Sequence, residues 1–119
     1  MTIQPIPKVT SADVERIARR DFPAGRVAEV LAMLSEYGAE SWQREPQRVR
    51  LAALKLAAGS VERLRYQVET AKCDYRDVLA PAEYPGYSEH MFRMRELAQD
   101  EQQRIIDDDW RQYEDWLKR

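Results

Sequence analysis

Val14, Ile17 and Ala18 recur at the three- and four-residue spacing of one buried helical face. Thr10 or Ser11 is placed to cap that first helix, with Asp13 supporting its first turn, and Phe22-Pro23 ends it after Asp21. A second helix is predicted from about Ala24 to Tyr37. Val27, Val30, Leu31 and Leu34 form its stripe, and Gly38 supplies a left-handed stop. The pair Glu45-Pro46 opens a third helix that runs to Ala58 and ends at Gly59. Val49, Ala52, Ala53 and Leu56 share one face while Leu51 and Leu54 lie on another, so this helix should be central, with neighbours on both sides. Arg48 and Lys55 are left for its wet side.

Ser60 reads as the N-cap of a fourth helix. Its stripe of Val61, Leu64, Val68, Ala71, Tyr75 and Val78 continues unbroken to Pro81, and Arg65, Glu69 and Lys72 are spaced for surface ion pairs. Residues 81–87 carry the strongest turn signal, with Pro85-Gly86 suited to the centre of a type II turn. Ser88 then caps a last helix extending towards the C-terminus. Its apolar side comprises Met91, Met94, Ala98, Ile105, Ile106, Trp110, Tyr113, Trp116 and Leu117. One helix over that whole stretch would be about 46 Å long at ~1.5 Å per residue. That exceeds the roughly 30–35 Å diameter of a compact domain of this size, so the helix either breaks near Gln99–Gln103 or projects.

The fold class is therefore all-α: a compact bundle of about four helices plus a long C-terminal amphipathic helix. Residues 1–9, with Pro5 and Pro7, form an extended N-terminal segment and residues 10–87 the helical core. Residues 88–119 form a C-terminal helix packed on the core, on a partner, or on both. The chain of 119 residues is long enough for a real core without metal or disulfide staples. Its 44% apolar and 34% charged composition is that of a folded chain.

Charge changes the picture only locally. The net charge is −2, yet residues 39–80 are basic and residues 81–119 acidic, which suggests that the tail meets the middle of its own or another copy. Nucleic acid is disfavoured as the main partner, because it needs a strong cationic surface. A helix-turn-helix over residues 46–80 fits poorly, since Ser60 follows Gly59 directly and Glu62 and Glu69 would face phosphates. No apolar run reaches the length of a membrane span, and Met1–Thr10 lacks the apolar centre of a secretory signal. A single cysteine, Cys73, points to a reducing, cytoplasmic location.

Candidate chemistry is sparse. His90, the only histidine, falls in the first turn expected for the last helix and reads as solvent-exposed rather than catalytic. Cys73 has Asp74 and Asp77 nearby, which disfavours a thiolate and favours a partly buried structural thiol. Asp107-Asp108-Asp109 cannot converge on one cation, because consecutive helical residues point about 100° apart; a solvated face is preferred. The polar cluster of Asp74, Asp77, Glu83 and Tyr84 could do acid–base work if buried together. Against that, these carboxylates could simply pair with Arg76 or with arginines of the third helix. No catalytic residue, cofactor or metal is assigned, and no small-molecule ligand can be inferred. The stripe of Ile106, Trp110, Tyr113, Trp116 and Leu117 is the best candidate contact for a protein partner, since aromatics dominate interface hot spots. Packing against the chain's own core is the competing use of the same residues.

Two stretches, Arg44-Glu45-Pro46-Gln47-Arg48-Val49-Arg50-Leu51-Ala52-Ala53-Leu54-Lys55-Leu56 and Asp74-Tyr75-Arg76-Asp77-Val78-Leu79-Ala80-Pro81-Ala82-Glu83-Tyr84-Pro85, resemble the helical core of a group of short bacterial proteins with no assigned activity. The resemblance implies a bacterial origin and brings no catalytic residue. The function expected from the sequence is a non-enzymatic interaction protein that self-associates through its C-terminal helix. The alternative is a small enzyme or ligand-binding protein built on Asp74, Asp77 and Tyr84, and a weak nucleic-acid binder comes third.

Overall fold

A computed structural model describes residues 4–119; the first three residues of the expected extended segment lie outside the described residues. Thr10 caps α1 (Ser11–Asp21) in a full capping box, accepting from the Asp13 amide while the Asp13 carboxylate accepts from the Thr10 amide at 2.9 Å. A 3₁₀ turn over Ala24–Arg26 leads into α2 (Val27–Ser35). Arg50 then donates from Nε to the Leu34 carbonyl and from Nη2 to the Tyr37 carbonyl, closing the end of α2. Gly38 has φ +96, and a Cβ there would meet Pro46 Cβ at 2.7 Å, so both conformation and space require glycine.

Helix α3 (Pro46–Ala57) is the centre of the molecule. Leu51 and Leu54 are fully enclosed, as are Ala52 and Ala57 on other sides, and α1, α4 and α5 all pack against it. Truncating either leucine to alanine is expected to cost about 2–5 kcal/mol. The Ser60 hydroxyl accepts from the Arg63 amide to cap α4 (Val61–Cys73).

The second half of the chain departs from the sequence pattern in three places. The fourth helix is not continuous to Pro81: it ends at Cys73, Asp74 is extended, and α5 (Arg76–Glu83) begins anew. The stripe runs on unbroken because both pieces pack against α3. Pro81 does not end a helix but lies inside α5, on its exposed side, where the missing N–H is tolerated. Pro85-Gly86 forms no type II turn. Pro85 is the first residue of the short helix α6 (Pro85–Glu89), and Gly86 is not among the glycines with positive φ.

No helix starts at Ser88 and runs on. After α6 come irregular residues and a 3₁₀ turn over Met94–Glu96, and only then α7 (Gln99–Lys118). At about 30 Å, that helix fits beside the bundle. The break falls before Gln99, with Met94 buried but Met91 and Phe92 exposed. The molecule measures 48 × 30 × 23 Å. Among the described residues there is no strand, and no helix is long and apolar enough to cross a membrane.

Candidate functional site

Along α7, Ile106, Asp109, Tyr113 and Trp116 follow each other at steps of three and four, and all four are buried. Tyr113 is sandwiched in an aromatic row, its ring 6.4 Å from Trp110 and 5.6 Å from Trp116 between centroids. Among the described residues its buried hydroxyl has no hydrogen-bond partner, and burial pushes its pKa far above the ordinary tyrosine value. Arg20 of α1 stacks over Trp116 at 5.3 Å and donates from Nη1 to the Trp116 carbonyl at 2.6 Å, so it closes the end of α7.

The predicted partner-binding stripe is thus divided. Its inner members, Ile106, Tyr113 and Trp116, belong to the chain's own core, while Trp110 and Leu117 remain half-buried on the flank. Beside that flank runs the segment Gln4–Val9, anchored by buried Pro7 and partly buried Val9. Between them lies a groove of about 360 Å³, with Pro5, Ile6, Val9, Trp110 and Leu117 in its walls and Lys8, Glu114 and Lys118 among its lining residues. Ile6 is 63% exposed.

The polar cluster is likewise divided by the break at Asp74. At the start of α5, the Asp74 carboxylate accepts from the Arg76 amide at 3.1 Å and from its guanidinium at 2.9 Å, which holds Asp74 below the usual carboxylate range. Asp77 is exposed. At the far end of α5, Glu83 is buried and takes two hydrogen bonds from Arg48 of α3. Arg48, expected on a wet side, is therefore half of a buried pair. Tyr84 lines a narrow hollow with Glu83, Asp109 and Trp110, and burial raises its hydroxyl. Asp74 instead lines a separate hollow with Trp42, Cys73 and Arg76.

His90 is half-buried rather than exposed, with Nδ1 2.8 Å from the Gly86 carbonyl, and it lines a third hollow with Arg93 and Arg104. Cys73 is exposed, not partly buried, because α4 ends on it. Asp107 and Asp108 are solvated, but Asp109 points inward and accepts from the amides of Gly86 at 2.8 Å and Tyr87 at 2.9 Å. It is a cap for α6 supplied from another helix. Among the described residues no group of three or more potential metal ligands converges.

Sequence reasoning missed the Arg48–Glu83 pair and the inward Asp109, although the spacing of 106, 109, 113 and 116 carries the latter. It also missed a cleft of about 750 Å³ where α1, α3 and α7 end, lined by Arg20, Lys55, Asp115, Trp116 and Arg119 among others. No protein-family model matches the chain, and neither a curated protein nor a solved structure does.

Proposed function

We propose that the protein is a non-enzymatic interaction protein whose partner is a second copy of itself, docked through the outer flank of α7. The observation that carries this reading is the apolar groove formed by Ile6, Val9, Trp110 and Leu117. Its large side chains stay in contact with water after the core has taken Tyr113 and Trp116.

Charge along α7 favours self-pairing over an unrelated partner. Asp107 lies ahead of Trp110, and Lys118, whose ammonium is 3.4 Å from Glu114 of its own helix, follows Leu117 about 16 Å further along the axis. Two such flanks brought together antiparallel about a two-fold axis set each Asp107 beside the other copy's Lys118, with Trp110 and Leu117 between. The patch is small, which suits a reversible dimer.

Deleting residues 104–119 is a poor test, because it also removes Tyr113 and Trp116 from the core. Ile6→Glu alters only the exposed flank, whereas Leu117→Glu changes a partly buried side chain that also packs against the core. Sedimentation of the full chain is expected to show a dimer that both variants convert to a monomer. Asp107→Lys and Lys118→Asp should each weaken the dimer, and the double variant should restore it. A wild-type chain that remains monomeric at about 100 µM, above the micromolar range of modest interfaces, removes the reading.

A further inference from the structure

Burial along the N-terminal segment alternates: Pro5, Pro7 and Val9 are at least partly covered, while Gln4, Ile6 and Lys8 are exposed. The two prolines fix their own φ and confine Gln4 and Ile6 before them to extended backbone, so the segment is stiff before it meets anything. Its seat lies beside Trp110 of α7 and Glu83-Tyr84 at the end of α5. The hollow left there measures about 10 Å³, near the least that holds one water, so Pro5 and Pro7 fill their seat closely.

Yet nothing polar ties the segment down. Among the described residues, Gln4–Val9 make no hydrogen bond and no ion pair; the first such contacts belong to the Thr10 capping box. Departure of the segment therefore strands no protein donor or acceptor, and it uncovers Trp110 and Tyr84. The polar groups around the seat are satisfied without it, Glu83 by Arg48 and Asp109 by the Gly86 and Tyr87 amides. A stiff, extended, proline-spaced segment lying against aromatic rings is the mode in which proline-rich peptides dock on other proteins.

We propose that Gln4–Val9 is a detachable internal ligand. It keeps closed a seat on α7 and α5 for an extended peptide with proline at alternate positions, and a peptide of that pattern from another chain takes the seat when the segment leaves. The covalent tether makes the closed state the resting one, because a short link supplies an effective concentration of about a millimolar. The seat does not depend on self-association, although release withdraws Ile6 from the outer groove and so opposes it.

The test uses the full ¹⁵N-labelled chain in an Ile6→Glu background, where the outer groove is blocked whether or not copies pair through it. Pro7→Glu places a charge in the seat and should shift the Trp110 indole N–H and the Tyr84 amide, with the Leu51 amide of the α3 core unmoved. A synthetic peptide of residues 4–10 should return both signals saturably, and the same peptide with Glu in place of Pro7 should not. The chain that keeps Pro7 should bind the peptide at least about tenfold more weakly, because its own segment competes. An unmoved Trp110, a shifted Leu51, a peptide that restores nothing, or equal binding by both chains overturns the proposal.

Discussion

The Arg48 guanidinium grips the Glu83 carboxylate with two prongs, Nε to Oε2 at 2.8 Å and Nη2 to Oε1 at 2.6 Å. The pair ties the first turn of α3 to the last residue of α5, and the two side chains are only 16% and 4% exposed. Burial pushes the Glu83 carboxyl up in spite of Arg48, so the pair fixes geometry more than it adds stability.

Arg48→Met should therefore cost about 3–5 kcal/mol near neutral pH, because it strands a buried carboxylate. The penalty should shrink as pH falls. Without Arg48, the raised carboxyl protonates in the folded state at a higher pH than in the unfolded chain, and once both are neutral nothing is stranded. Arg48→Met with Glu83→Leu should recover most of the loss. Urea melts at neutral pH and at pH 4.5 check both points, and a penalty independent of pH would show that Glu83 is not the cause.

A second relationship makes a coupled prediction. A Cβ on Gly86 would lie 2.8 Å from Asp109 Oδ1 and 3.4 Å from Ile105 Cγ2. The carboxylate cannot swing away without leaving the Gly86 and Tyr87 amides. Asp109→Ala should cost about 2–3 kcal/mol, as expected for hydrogen bonds to a charged acceptor, and should speed exchange of those two amides. Gly86→Ala alone should cost about 1–3 kcal/mol through overpacking. In the Asp109→Ala background it should cost less, since the obstructing oxygen is gone; strictly additive losses would contradict this contact.

Local signals in the sequence carried the first half of the fold. Thr10 and Asp13 form their capping box, Gly38 turns left-handed, and the two-sided apolar pattern of α3 marks a central helix. The second half depended on distant partners. Pro85-Gly86 favours a turn in isolation, but Asp109 of α7 supplies the acceptor that makes it a helix start. The break at Asp74 left no trace in the stripe, because Val68, Ala71, Val78 and Ala82 all serve the same core. The candidate contact on α7 was legible as an apolar stripe. Which of its residues stay wet was not, since that is decided by Gln4–Val9 alongside Trp110 and by the core that takes Tyr113.

Ala58, at the end of α3, has φ 50 and ψ 43, a left-handed conformation that costs a Cβ-bearing residue about 1–2 kcal/mol. It is exposed, so no packing is lost with its methyl group. Part of the gain is offset by the greater freedom of glycine in the unfolded chain. Ala58→Gly should raise stability by about 0.5–1 kcal/mol, visible as a higher thermal midpoint. A lower midpoint would mean that the left-handed geometry carries no strain.

Glu36 joins α2 to α4 through one carboxylate oxygen, which accepts from Arg65 Nη1 at 2.8 Å and Lys72 Nζ at 2.7 Å. Those two hydrogen bonds, Arg65's the stronger, hold its pKa at about 2 against an ordinary 4.5. A depressed folded-state value means that the contribution to stability is complete above pH 4.5 and is lost as pH falls towards 2. Glu36→Gln removes the ionisation and leaves an amide that can still accept weakly. The difference in stability between wild type and variant should be greatest near neutral pH and shrink steadily as pH falls towards 2. All three side chains are partly exposed, between 32% and 42%, so screening matters and about 1 M salt should reduce the neutral-pH difference. Two parallel pH profiles, or a difference unaffected by salt, would place the stabilising role of Glu36 in packing rather than in charge.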